Sequence, residues 1–156
     1  MTATATVLYD IRNEPPPVSG EIRGGVAGVL IGVLLLVVVW KRPDRLIRVL
    51  PIAWIVGWAA LTAMNVREIK RAHAGAVARL ERGDVKVVEG AVTKVTPSDG
   101  RGPEIARIGE TTVAISYDVK VPGLHLTSLT GGPIREGKKL RVTRAGESIL
   151  LVEQLE

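Results

Sequence analysis

The chain has no cysteine and no phenylalanine, only two histidines, and 3% aromatic residues overall. Without cysteine there is no disulfide scaffold, zinc ribbon, thiol nucleophile or iron–sulfur cluster. Two histidines argue against a His-rich metal site. So few rings leave little material for base stacking or for a sugar platform. What the 156 residues do contain is aliphatic bulk: 46% are hydrophobic against 24% charged, and the mean hydropathy is +0.23 despite 21 Lys+Arg. That length suits one ordinary domain, or a smaller domain with a membrane anchor.

A net charge of +5 and a pI of about 9.9 suggest nucleic acid until the charges are located. Residues 84–156 carry ten basic and ten acidic residues, so the entire excess lies in residues 1–83. There it falls in two clusters. Lys41, Arg42, Arg45 and Arg48 surround Asp44, while Arg67, Lys70, Arg71, Arg79 and Arg82 outnumber Glu68 and Glu81. Both clusters flank apolar runs. Basic side chains beside such runs pair with lipid phosphates, at about 1 kcal/mol each near an anionic surface. The lipid bilayer is therefore the expected partner, with Lys41, Arg42, Arg45, Arg67, Lys70 and Arg71 at the headgroups, and nucleic acid is not.

Residues 24–40 contain no charge, and neither do residues 49–64. The second run extends to 46–64 if Arg48 snorkels. A spanning helix needs about 20 apolar residues. Each run is marginal alone, but the short basic connector can join only two antiparallel helices, so a two-helix transmembrane hairpin (24–40 and 46–64) is expected. Trp40 suits the headgroup layer. Pro43 ends the first helix, and Pro51 is expected within about the first turn of the second, where a missing N–H does least harm. A soluble helical hairpin would need more protein than this chain has to cover it. A cleaved signal peptide fits poorly, because the run is long, the tail before it is acidic, and VVVWKR lacks small residues for cleavage.

The connector is more basic than the N-terminal tail, which puts it in the cytoplasm and both termini outside; the basic cluster after the second run pulls the other way. A bacterial cytoplasmic (inner) membrane location with an extracytoplasmic β domain is the resulting expectation. Gly24, Gly28 and Gly32 recur every four residues, as do Ala53 and Gly57. Small residues on one face let membrane helices approach closely. They serve either packing within this hairpin or a homo-oligomer seam.

Residues 65–82 read as a helix that stops at Gly83, a good residue beyond a helix C-terminus. Val66, Ile69, His73, Ala76 or Val77, and Leu80 form one stripe. This juxtamembrane helix (65–83) is either a stalk or folds back onto the β domain, and His73 reads as a packed interface residue. From residue 84 the period changes to two. Runs at 85–95, 111–119, 124–129, 138–145 and 148–155 alternate, and turn residues punctuate them. Val113, Ile115, Tyr117 and Val119 share a face. Val87, Val88 and Gly90 interrupt the first run as a β-bulge would. About five or six strands in residues 84–156 predict a small all-β barrel of the OB or SH3-like kind. The tail (1–23) is expected to be extended and stiffened by Pro15–Pro17, with Leu8, Tyr9 and Ile11 docking on the membrane or the β domain.

Candidate chemistry is sparse. Residues 132–139 have the glycine and lysine spacing of a phosphate loop, but the magnesium-binding Ser/Thr is missing and a strand follows instead of a helix. Gly24, Gly25 and Gly28 mimic a dinucleotide fingerprint without a preceding strand. His125 stands alone on a Leu-His-Leu run and points off the core. No serine elbow or paired carboxylates occur. Catalytic, metal and cofactor sites are therefore not expected. Arg135, Lys138, Lys139, Arg141 and Arg144 form a basic strip, read either as a protected edge or as an anion-binding face.

The stretches LYDIRNEP (8–15), VVEG (87–90), PG (122–123), GGPI-x-EG (131–137) and IL-x-VE (149–153), in that order, resemble a family of small bacterial membrane proteins with two N-terminal spans and a compact C-terminal β domain. The resemblance implies architecture, with no activity or cofactor attached. The expected role is a non-enzymatic interaction or assembly module with a membrane-protein partner or a second copy. The alternative is an envelope lipid or glycan sensor using Arg135, Lys139 and Arg141. If the two runs lie in hydrocarbon, the full-length chain should pellet with membranes and resist alkaline carbonate extraction. Recovery in the supernatant without detergent would refute that reading.

Overall fold

Inside an apolar medium every main-chain N–H and C=O needs an internal partner, which favours helix wherever water is excluded. In a computed structural model, which describes residues 5–42, 44–98, 102–116 and 120–156 (for Arg45 and Leu46 the backbone only), both apolar runs are helical. Helix α1 spans Ser19–Val39, 21 residues, or about 31 Å at 1.5 Å per residue. That matches a hydrocarbon layer of about 30 Å. It starts five residues before the uncharged run, with Glu21 in its first turn, where a carboxylate complements the helix dipole. Pro43 lies outside the described residues.

Helix α2 runs Arg45–Arg82, 38 residues without interruption. Pro51 sits about two turns inside it, deeper than the sequence pattern suggests, so the Ile47 carbonyl loses its usual helical donor. At the far end Gly83 takes φ 73°. Its N–H bonds the Leu80 carbonyl at 3.2 Å, and the Asp84 N–H bonds that of Arg79 at 3.0 Å. This is the paired terminal bonding of a Schellman stop. Both helices are long and apolar enough to cross a membrane, and only 17% and 6% of their most apolar windows is buried. The core helices of a soluble protein would be covered; these leave Leu34, Val38, Leu50 and Val56 bare.

The chain forms two compact units, Pro17–Lys70 and a second made of Met1–Pro16 with Arg71–Glu156. The second unit is wider than residues 84–156, because it includes the start of the tail and the last turns of α2. Its strands are β1 (Ala5–Asp10), β2 (Lys86–Thr96), β3 (Glu104–Ile108), β4 (Thr111–Ile115), β5 (Lys139–Ala145) and β6 (Ser148–Leu155). All pairings are antiparallel, in the order β1-β6-β5-β2-β3-β4. Strand β2 belongs to two halves: Lys86–Ala91 pairs with β5, and Val92–Thr96 pairs with β3. Gly90 sits at the changeover with φ 157°, where a Cβ would come within 3.0 Å of the Gly109 backbone. The bulge expected at Val87–Val88 is absent, since the register with β5 is continuous there; the shift falls at Val92/Lys94 instead.

Folding the sheet at this bend encloses one core. Val92, Ala106, Ile108, Val113 and Ile115 from one half meet Leu140, Val142, Ile149 and Val152 from the other, with Leu124 and Ile134 from loops. The sheet is not closed as a barrel: β1 and β4 are its ends, and no ladder among the described residues joins them. The 124–129 run is not a strand. It is irregular and ends in a 3₁₀ turn at Ser128–Thr130, because Gly123 lies against β6 and Leu124 N–H bonds the Ile149 carbonyl at 3.0 Å, tying the run to a single crossing point. Tyr117 and Val119 lie outside the described residues.

The tail supplies a full strand. A register shift at Val7/Tyr9 lets the consecutive Leu8 and Tyr9 both pack inward. A 3₁₀ turn at Ile11–Asn13 then buries Ile11 completely against Ala76 of α2 and Leu150 of β6. Strand β6 serves both cores at its own register shift, Ile149 entering the larger and Leu150 the smaller. Replacing Ile11 by Ala should cost about 2–5 kcal/mol through the cavity left behind. Val7→Ala, exposed on the same segment, should stay within about 0.5 kcal/mol. Chemical unfolding in mild detergent measures both, and equal effects would contradict the docking role of Ile11.

Candidate functional site

Two α-helices meet closely only where one offers no side chain. In the hairpin the buried glycines are Gly25, Gly28 and Gly32. A Cβ would strike Thr62 at Gly25, come within 2.6 Å of the Trp58 ring at Gly28, and within 2.5 Å of Ile55 at Gly32. Their spacing is three then four residues, the seam period of near-antiparallel helices, and not the strict four of Gly24, Gly28 and Gly32. Gly24 and Gly57 face open space, and Ala53 is exposed. The expected packing set is thus split: Gly28 and Gly32 lie in the seam, Gly25 joins them, and Gly24, Ala53 and Gly57 lie elsewhere. At Gly28 the bare carbonyl accepts the Trp54 Nε1–H at 3.0 Å. Trp54 and Trp58 stack edge to face with centroids 5.9 Å apart, and Thr62 returns its hydroxyl to the Trp58 carbonyl at 2.8 Å. Asn65 closes one end by donating to Glu21 at 3.2 Å. Lys41, Arg42, Arg67, Lys70 and Arg71 are exposed, while the Arg45 side chain lies outside what is described.

The basic strip is largely compensated. Arg141 lies in register between Glu89 of β2 and Glu153 of β6, at 2.5 Å and 3.7 Å from their carboxylates. Both neighbours, Glu89 first, hold its guanidinium above its usual pKa. Lys138 Nζ donates to Gln154 at 3.0 Å. Arg135 Nε donates to the Gly132 carbonyl at 3.2 Å, and Lys139 is exposed. These four do not form one uncompensated anion site. Arg144 Nε is buried without a hydrogen-bond partner.

The loop resembling a phosphate cradle spends its amides internally. Gly132 N–H bonds the Thr127 carbonyl at 2.7 Å, Gly137 N–H that of Val92 at 2.9 Å, and Lys138 N–H that of Arg135 at 3.4 Å. His125 Nδ1 lies 3.1 Å from the Ser116 carbonyl, while its Nε2 and that of His73 are buried without partners. Among the described residues no three His, Asp or Glu side chains converge as a metal site would require.

Two carboxylates that the sequence pattern does not reveal organise the β unit. Glu104 opens β3 and is fully buried, yet its carboxylate accepts the Ser128 N–H at 2.9 and 3.0 Å and the Ser128 hydroxyl at 2.6 Å. It thereby holds a loop 24 residues away. Asp10 accepts the Arg12 N–H at 3.0 Å and its guanidinium at 2.6–3.0 Å. The only local clue is Asp-x-Arg after an alternating run. Nothing in EIARI distinguishes a buried Glu from a surface one.

No protein-family model, curated protein or solved structure matches the chain.

The side-chain bond from Arg12 outweighs burial and holds the Asp10 carboxyl below its ordinary value of 3.8. Desolvation first, then Glu14 and Asp10, push the Tyr9 phenol upward. Because the Asp10 pKa is lowered by folding, its stabilisation is complete above the unfolded carboxyl range and disappears as pH falls through the folded value. Arg12 is half-exposed, so solvent screens part of the effect. Asp10→Asn should lower the unfolding midpoint at neutral pH and converge with the parent chain once the pH has fallen below the folded carboxyl value. A difference that persisted unchanged in acid would contradict the pairing.

Proposed function

We propose that the chain is a non-enzymatic, membrane-anchored interaction or assembly module of a bacterial cytoplasmic membrane, in which α1 and the first part of α2 cross the bilayer and a small β unit is presented on one side. The observation that carries this reading is the ladder between β1 and β6. Ala5 pairs with Leu155 and Asp10 with Leu151, and Ile11 seals the joint. Strand β1 precedes both apolar helices and β6 follows both. Their pairing supports an even number of crossings, with the two flanks on the same side. It also argues against α1 as a removable leader, because the sheet would lose an edge strand.

The bare apolar faces of the hairpin support lipid around it. The basic residues at its ends suit headgroups. The resemblance in residues 8–15 and 131–137 fits this reading, since the first covers the end of β1 with its turn and the second the approach to β5. The sheet bent around its core leaves room for a barrel-like description of the OB or SH3 kind. The rival reading, a lipid or glycan sensor centred on Arg135, Lys139 and Arg141, is weakened by the two carboxylates on Arg141. Partners are a membrane protein or a second copy.

Reporters active on only one side of the membrane, fused separately to residue 1 and residue 156, test the topology. The same side is expected for both, and the extracytoplasmic side follows from the basic connector. Opposite sides would overturn the two-crossing reading. Both termini inside would leave two crossings intact and reverse the orientation.

A further inference from the structure

Between the two helices of the hairpin lies a cavity of about 380 Å³, contained entirely in the Pro17–Lys70 unit. It exists because small residues stand where larger ones would fill the space: Gly25 on α1, with Ala59 and Ala63 on α2. The one hydroxyl on its wall belongs to Thr62 and is spent on the Trp58 carbonyl. The side chains therefore offer no free polar group. Ile22 and Val66 line one end and Leu30 the other, a run along α1 of about 12 Å at 1.5 Å per residue. A hydrocarbon layer is about 30 Å thick, so the groove begins near one surface, where Asn65 donates to Glu21, and ends near mid-bilayer. That is the reach of one acyl chain. A helix of a second copy would continue past it.

The charges beyond the outer end point to the headgroup. On a helix, residues four apart stand above one another. Glu21 precedes Gly25 by four, and Lys70 follows Val66 by four and Ala63 by seven. Both lie past the same end of the groove, because the Glu21–Asn65 bond joins the start of α1 to this part of α2. Among the described residues Glu21 takes that one bond, at 3.2 Å, and no ion pair joins it or Lys70 to an opposite charge. An apolar groove of one chain's length, headed by an unpaired carboxylate and an unpaired ammonium, complements a lipid that carries both an ammonium and a phosphate. An anionic headgroup without an amine would leave Glu21 unpaired beside a like charge.

We propose that this groove is a binding site for a single zwitterionic aminophospholipid, with an acyl chain against Gly25, Ala59 and Ala63, its ammonium on Glu21 and its phosphate on Lys70. The proposal rests on the membrane-anchored reading above and names a lipid that the hairpin selects from its surroundings.

The full-length chain, purified in mild detergent with equal amounts of phosphatidylethanolamine and phosphatidylglycerol, is examined by native mass spectrometry for the lipids it retains. Phosphatidylethanolamine should be retained several-fold over phosphatidylglycerol. Glu21→Gln, which keeps an acceptor for Asn65 and removes the charge, should abolish that preference. Ala63→Leu, which fills the groove, should lower phosphatidylethanolamine retention several-fold, whereas Ala53→Leu, at an exposed position outside it, should leave retention unchanged. Equal retention of the two lipids by the parent chain, a preference that survives Glu21→Gln, or retention indifferent to Ala63→Leu overturns the site. If the same chain resists carbonate extraction from membranes, the anchor still stands; extraction by carbonate overturns anchor and site together. Dimers that Ala63→Leu disperses, with no lipid preference, overturn the site in favour of a second copy.

Discussion

Strand β1 and strand β6 lie at opposite ends of the chain, and their pairing constrains everything between them. Five register pairs join them, and Ile11 continues the joint into a buried contact with Ala76 and Leu150. On the proposed reading, the two long apolar helices leave the membrane surface and return to it on the same side. A two-helix hairpin does so and a single crossing does not. The same pairing brings together residues as far apart as Ala5 and Leu155. Such long-range closure carries a large loop entropy, and the burial of Ile11 and Leu150 opposes that cost. Covering the β6 edge with β1 also removes a long row of unpaired main-chain groups that would otherwise invite aggregation.

The hairpin solves a different problem. Helices in hydrocarbon gain little from burying apolar surface against each other, so their contact depends on close packing and on the few polar bonds available. Gly25, Gly28 and Gly32 bring the helices near enough for Trp54 to donate to a main-chain carbonyl. The indole N–H, which would be costly unpaired in lipid, is satisfied within the molecule. A methyl group at Gly28 would collide with Trp58, so one small position carries the aromatic pair and, through Trp54, the cross-helix bond.

In the β unit, charge is used chiefly for construction. Arg141 bridges three strands through Glu89 and Glu153, Asp10 sets the turn after β1, and Glu104 pins a distant loop.

Both helices were readable because absence of charge over seventeen residues in one run and sixteen in the other is a strong, local signal, and the stop at Gly83 because only glycine enters the left-handed region cheaply. Strands β2, β5 and β6 followed from alternation. Strand β1 did not, because LYD and the prolines after it look like a tail until β6 supplies a partner. Strand β3 is too short, and 124–129 alternates without being a strand, since alternation records which side chains are covered and not what pairs with the backbone. The sequence by itself determined the apolar hairpin, the change to period two at residue 84, and the confinement of excess charge to the first half. Only the tertiary structure decided that the tail joins the β unit, that Gly25 replaces Gly24 in the seam, and that Glu104 and Arg141 are structural. Those outcomes depend on residues 24, 52 or 150 positions apart meeting in space (Glu104 with Ser128, Glu89 with Arg141, Ala5 with Leu155), and no local pattern encodes such distances.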